Sequence, residues 1–191
     1  MAKLLFFAGS ARKDSINKKI AILAAGLARQ KGADVTLIDL KDFDMPIYNG
    51  DLEKEKGLPE NALRLKKLFI EHDGFFIASP EYNSSFSPLL KNALDWISRA
   101  NEENEKPLSA YTGKVAALAA ASFGALGGLR GLVPLRMMLG NIGVVVIPNQ
   151  MAIGFGGHTL DDEGRLRDET QAQRLAATIE AFVETANRMA Q

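Results

Sequence analysis

Between Gly9 and Asn17 the chain reads Gly-Ser-Ala-Arg-Lys-Asp-Ser-Ile-Asn, which gathers the hydrogen-bonding side chains of Ser10, Ser15 and Asn17 and the guanidinium of Arg12 in one short stretch. The apolar run Lys3-Leu4-Leu5-Phe6-Phe7-Ala8 leads in, and an Ala/Leu/Ile-rich stretch, 18–30, leads out. Strand, small-residue loop and helix in that order put free backbone N–H groups at the positive end of a helix, where phosphate binds. Arg12 can fork onto phosphate oxygens. A plain N-cap at Ser15 would need only one of these four side chains. The stretch is neither Gly-x-x-x-x-Gly-Lys-[Ser/Thr] nor Gly-x-Gly-x-x-Gly, so a nucleoside-triphosphate loop and a dinucleotide loop are both set aside.

Two further loops have unusual composition. Ser79-Pro80-Glu81-Tyr82-Asn83-Ser84-Ser85-Phe86-Ser87-Pro88 carries two prolines, and a stiff loop can aim its N–H and C=O groups at the edge of a planar ring. Tyr82 is the side chain placed to lie against such a ring; the plain alternative packs it on a neighbour. Ala121-Ser122-Phe123-Gly124-Ala125-Leu126-Gly127-Gly128-Leu129-Arg130-Gly131 is glycine-rich. Its glycines suit either a ligand close to the backbone or a helix packed tightly on a sheet.

The elements that must position these loops are set by hydrophobic spacing. Leu4–Ala8, Asp34–Leu40, Gly74–Ser79, Val115–Ala121 and Gly143–Pro148 read as strands. Asn17–Gln30, Pro59–Glu71, Ser87–Arg99, Leu126–Leu139 and Asp168–Met189 read as helices, with Lys91 and Asp95 at i,i+4 spacing. The stretch around Met45–Asp51 reads as polar and irregular. Strands alternating with helices predict one α/β domain over 1–191, a three-layer sandwich about a five-stranded parallel sheet. The flavodoxin-like order 2-1-3-4-5 fits five strands better than a six-stranded dinucleotide fold. Ligands of such folds bind beyond the carboxyl ends of the strands where the order reverses, so the three loops should meet.

The 191 residues carry 23 basic and 23 acidic side chains, 47% hydrophobic and 24% charged residues, as in an ordinary soluble globular protein. A neutral balance argues against a nucleic-acid binder, which needs a basic face, and against a strongly acidic electron carrier. The absence of cysteine excludes disulfides, thiolate nucleophiles and cysteine-ligated metal or iron–sulfur centres. No stretch approaches the ~20 apolar residues of a membrane span, and the first apolar run is too short for a signal peptide. No membrane partner and a cytoplasmic location are therefore expected. His72 and His158 lack Asp/Glu/His partners at metal-ligand spacing and read as solvent-facing or capping, so no metal is expected. Residues 102–106 read as a solvated loop, and Met137 and Met138 as core or interface filler.

Taken together, Gly9-Ser10-x-Arg12-x-x-Ser15-x-Asn17, Pro80-Glu81-Tyr82-Asn83, Leu90-Lys91-Asn92-Ala93-Leu94-Asp95-Trp96 and Ser122-x-Gly124-x-x-Gly127-Gly128 resemble the NADPH-dependent FMN reductase family, with its quinone, azo-dye and chromate reductases. The resemblance implies that Ser10, Arg12, Ser15 and Asn17 hold the FMN phosphate. Pro80, Glu81, Tyr82 and Asn83 would line the isoalloxazine, mostly through backbone groups, and Ser122, Gly124, Gly127 and Gly128 would lie along the ring or ribityl side. It implies NADPH or NADH as co-substrate, a small-molecule electron acceptor and a homodimer or homotetramer. Trp96 would be structural as readily as ligand-contacting. Because FMN carries the hydride chemistry, no catalytic side chain is assigned. A flavodoxin-type electron carrier would need a Thr/Ser-rich loop and an acidic surface, and a flavin-binding regulatory protein is the other alternative. A receiver domain of the same strand order would need carboxylates where Gly9-Ser10 and Ser79-Pro80 stand.

Overall fold

The computed structural model describes residues 1–154 and 159–190; His158 lies outside them. Along the chain come β1 (Lys3–Ala8), α1 (Ile16–Gln30), β2 (Asp34–Leu37), α2 (Gly50–Lys56), α3 (Glu60–Glu71), β3 (Gly74–Ser79), β4 (Glu81–Tyr82), β5 (Ser85–Phe86), α4 (Pro88–Ile97), β6 (Val115–Ala121), α5 (Leu129–Asn141), β7 (Val145–Ile153) and α6 (Glu169–Met189).

β3 and β6 are buried at every residue, so neither face of the sheet's centre can meet water. Helices therefore cover both faces. The five-stranded sheet is parallel throughout, in the order β2-β1-β3-β6-β7, the expected 2-1-3-4-5. Side chains alternate between two cores. Leu4, Phe6, Ala8, Phe76 and Ala78 pack under α1 and α6 with Ile20, Ile179 and Phe182. Leu5, Phe7, Phe75, Ile77 and Leu118 pack under α3, α4 and α5 with Phe69, Leu90 and Leu135. Aromatic rings lock each layer: Phe6 stacks on Phe76 at 5.3 Å, and Phe69 lies 4.9 Å from Phe75.

The differences from the expected elements have local causes. β2 stops at Leu37, because Asp39 turns the chain by accepting from the Lys41 N–H and capping a 3₁₀ turn at Leu40–Asp42. The stretch expected to be irregular contains α2, which Asn49 caps by accepting from Asp51 and Leu52. α5 begins at Leu129 rather than Leu126, after two left-handed glycines, Gly127 and Gly128. β7 continues past Pro148, which an edge strand tolerates. It bulges there: Ala116 pairs with Val146 but Leu118 pairs with Gln150. Arg136 holds the bulge, donating to the Val146 and Ile147 carbonyls and to Gln150 Oε1.

Two other readings change. Glu105 is not a solvated loop residue; it pairs with the buried Lys66, and Ser109 donates to it. His72 is capping but not solvent-facing. It is buried, with Nδ1 on the Leu68 carbonyl and Nε2 2.8 Å from Thr36 Oγ1. Trp96 is fully buried and donates to the Pro46 carbonyl at 2.7 Å, a structural role. Lys91 and Asp95 form their i,i+4 pair at 2.7 Å. Among the described residues, no helix is long and apolar enough to cross a membrane.

Candidate functional site

At the carboxyl ends of β1, β3 and β6 a cavity of about 660 Å³ opens, lined from all three expected loops, within the ordinary range for small-molecule sites. Ser10, Arg12, Ser15 and Asn17 come from the first loop, Pro80, Glu81 and Tyr82 from the second, and Ser122 and Phe123 from the third.

The loops are tied to one another pairwise. The first and second are joined where Ser87 Oγ donates to the Gly9 carbonyl at 2.5 Å, while also capping α4 by accepting from the Leu90 N–H. The first and third are joined by Asn17, whose Nδ2 donates to the Ala121 carbonyl at 3.0 Å and whose Oδ1 accepts from the Ala121 N–H at 2.9 Å. The second and third are joined where Glu81 Oε2 accepts from the Gly131 N–H at 3.0 Å. Each junction lies on or beside residues that line the cavity, so its wall is held before any ligand arrives.

The lining carries both signs of charge, Arg12 and Lys19 with Asp14, Glu81, Asp161 and Asp162, and one wall is the amino end of α1. The helices α2, α4 and α6 are closed at their amino ends by the side chains of Asn49, Ser87 and Asp168, and α3 carries Glu60 in its first turn. α1 has neither device: Ser15 sits at its N-cap without capping it, and its first turn holds no carboxylate. That positive pole faces the cavity, with Ser10 and Ser15 buried beside it. Ser10 Oγ shapes the turn by accepting from the Arg12 N–H at 3.4 Å. Arg12 is exposed and forms no ion pair among the described residues. A helix end left without its own cap, with two hydroxyls and a guanidinium, is chemically complementary to a phosphate monoester.

Comparison with known proteins places the chain in a family. The sequence model of the NADPH-dependent FMN reductases matches residues 2–158. The chain belongs to this family. It is 30% identical over 181 residues to a 2-hydroxy-1,4-benzoquinone reductase of a Burkholderia species, covering 94% of this chain and 93% of that protein. It is 31% identical over 181 residues to an NAD(P)H-dependent FMN reductase of Pseudomonas aeruginosa, covering 94% and 92%. The structure of FerB, a flavoenzyme NAD(P)H:(acceptor) oxidoreductase from Paracoccus denitrificans, superposes with a TM-score of 0.83 at 29% identity, covering 99% of both chains. The protein is thus an NAD(P)H-dependent oxidoreductase whose cofactor is FMN.

The residues expected to hold FMN in this reductase fall into two groups. Ser10, Arg12, Ser15, Asn17, Pro80, Glu81, Tyr82 and Ser122 line the cavity. Asn83, Gly124, Gly127 and Gly128 do not. Asn83 and Ser84, both with positive φ, form the two-residue turn of the β4–β5 hairpin that presents Tyr82. Gly127 and Gly128 are spent on packing: a Cβ on Gly127 would lie 2.5 Å from the backbone of Ile153 and Gly154, and one on Gly128 would lie 2.7 Å from Ala120 Cβ. The tight-packing alternative therefore holds for both, while a Cβ on Gly124 would meet only Ser122 Oγ, at 3.8 Å.

The sequence reading missed Phe123 and the segment at Leu160–Asp162, which also line the cavity. Phe123 is 67% exposed and Tyr82, which lines the same cavity, 46%. An aromatic residue among glycines was its only signal. Leu160 and Asp161 arrive after β7 on a small hairpin, bridged at Leu160 and Leu166, and only the tertiary fold brings them in. The Asp161 carboxylate is turned into its own hairpin. N–H groups of Arg165 and Glu163 and the Arg165 guanidinium hold it below its ordinary range, the Arg165 N–H foremost and against the opposing effect of burial.

Proposed function

We propose that this cavity holds FMN with its phosphate at the amino end of α1, received by Ser10, Arg12 and Ser15, and with its ring system along the Pro80–Tyr82 backbone and Ser122. When bound there, FMN would supply the two-electron chemistry between a reduced nicotinamide and an acceptor. The chain's own part is placement. Pro80 fixes φ where the second loop leaves β3, so the peptide groups of Glu81 and Tyr82 have a defined direction. Tyr82 and Phe123 stand at the mouth, where nicotinamide and acceptor must enter in turn. The acceptor is of the quinone class, which the names of the relatives support.

The observation that carries this reading is the amino end of α1, which has neither a capping side chain nor a first-turn carboxylate and faces the cavity.

The same reading makes the protein a cytoplasmic homodimer or homotetramer. Leu129, Val133 and Met137 succeed one another at i,i+4 spacing along α5 and are each 43–63% exposed. Phe123, which lines the cavity, and Leu126 are exposed too, and a second copy of the chain would cover such side chains.

Steady-state kinetics with NADPH or NADH and a benzoquinone test the reading. One mouth serving both substrates gives parallel double-reciprocal lines. Intersecting lines, with both substrates bound at once, contradict it.

A further inference from the structure

Among the described residues, α5, like α1, supplies neither its own capping side chain nor a first-turn carboxylate. Its N-cap is Gly128, in the left-handed region at φ +88, and its first turn opens with Leu129-Arg130-Gly131. Its amino end is nevertheless closed, from outside the helix. The Glu81 carboxylate reaches from β4 and accepts from the Gly131 N–H at 3.0 Å. This N–H also meets the Gly128 carbonyl at 3.1 Å, so the carboxylate shares it with the helix's first turn. The absence of a side chain on Gly131 permits this approach: a Cβ there would lie 3.1 Å from the Ser85 carbonyl and 3.3 Å from Glu81 Cβ and Cγ. A carboxylate on helix N–H groups is the favoured sign at that pole.

We infer that Glu81 is a positioning residue: its carboxylate caps α5 in trans and thereby clamps the β4–β5 hairpin, and with it Tyr82, to the glycine-rich loop before the cofactor arrives. The inference rests on the reading that FMN binds between these loops, and it gives Glu81 a role other than direct contact with the cofactor. The hairpin needs an external clamp. Each of its strands is two residues long, and its turn places Asn83 and Ser84 at φ 51 and 65, where non-glycine residues are strained. Free of α5, such a hairpin would open, and the peptide groups proposed to face the ring would lose their fixed direction.

Two measurements on Glu81→Ala and Glu81→Gln test this. The first is amide hydrogen exchange of the FMN-free protein. Glu81→Ala should lose protection at Gly131 and across 81–86, whereas Glu81→Gln, which keeps an acceptor oxygen, should retain most of it. The second is equilibrium binding of FMN followed by flavin fluorescence. Glu81→Ala should bind about tenfold more weakly or worse, and Glu81→Gln within about threefold of the parent. Unchanged exchange in Glu81→Ala overturns the clamp. So does loosened exchange with unchanged FMN affinity, which would make the contact purely structural. If the parent chain takes up no FMN, the underlying reading falls, and the exchange comparison still decides whether Glu81 caps α5.

Discussion

Asn17 and Ala121 stand 104 positions apart in sequence, yet the Asn17 amide reads both backbone groups of Ala121, donating to its carbonyl and accepting from its N–H. Asn17 is 2% exposed and Ala121 3%. The residue that the family resemblance places at the cofactor's phosphate thus spends its amide on joining the first helix to the end of the fourth strand of the sheet. It sets the distance between the turn before α1 and the glycine-rich loop.

Asn17→Ala should therefore act first on stability. It leaves a buried N–H and a buried carbonyl unpaired, each costing roughly 1–3 kcal/mol. Denaturant unfolding of the FMN-free protein should show a loss of about 2–4 kcal/mol. A loss below about 0.5 kcal/mol, within the range of ordinary surface substitutions, would mean the clamp does not operate.

The glycines of the third loop separate by the same measurement. Gly127→Ala must hold alanine at φ +60 with its Cβ 2.5 Å from the Ile153 and Gly154 backbone, so the packing of this loop on β7 has to shift. The expected cost is above about 2 kcal/mol. Gly124→Ala, whose Cβ would meet only Ser122 Oγ at an ordinary 3.8 Å, should change stability by less than about 0.5 kcal/mol. Equal effects at both positions would contradict the packing described for Gly127.

Acid sensitivity should centre on Glu105. Burial pushes its carboxyl up, but Lys66, Ser109 and the Asn101 N–H outweigh burial and bring it from the ordinary 4.5 to about 2. A carboxyl depressed in the folded state stabilises fully above its unfolded value, and the contribution fades as pH falls towards the folded one. The stabilisation, on the order of 2–3 kcal/mol, is thus present at pH 7 and lost between about pH 4.5 and 2. Glu105→Gln should be less stable than the parent at pH 7, and the gap should narrow through that window in urea titrations. A gap that is constant with pH would rule out the ion pair as its source.

Periodicity was enough to find the sheet. Phe6, Phe76 and Leu118 sit in continuous apolar runs, and runs buried on both faces leave little choice but a parallel sheet between helices. That Ser10, Arg12 and Ser15 share one wall of the cavity was legible for a similar reason: they are close in sequence, on the turn that leads from β1 into α1. What escaped depends on distant contacts. That the Glu81 carboxylate accepts from the Gly131 N–H cannot be read from residues 50 positions apart in sequence, although Glu81 does line the cavity as expected. Gly127 and Gly128 read as room for a ligand until the backbone of Ile153 and Gly154 is seen against the first and the Ala120 side chain against the second. Glu105 looks solvated because it lies outside any helix or strand and its partner, Lys66, is on α3, 39 positions earlier in the chain. Asp161 cannot be assigned to the cavity from spacing, since it enters from beyond the last strand of the sheet.

Arg12 offers the most direct test of the central claim, that the amino end of α1 receives the phosphate of FMN. Equilibrium titration of the FMN-free protein with FMN, monitored by quenching of flavin fluorescence, should show saturable binding at micromolar concentration or below. Arg12→Ala should weaken that binding by about 1.5–3 kcal/mol, the range of a charge-assisted hydrogen bond, while riboflavin, which lacks the phosphate, should bind parent and variant equally. No uptake of FMN by the folded parent, or equal FMN affinity in parent and variant, would contradict the account.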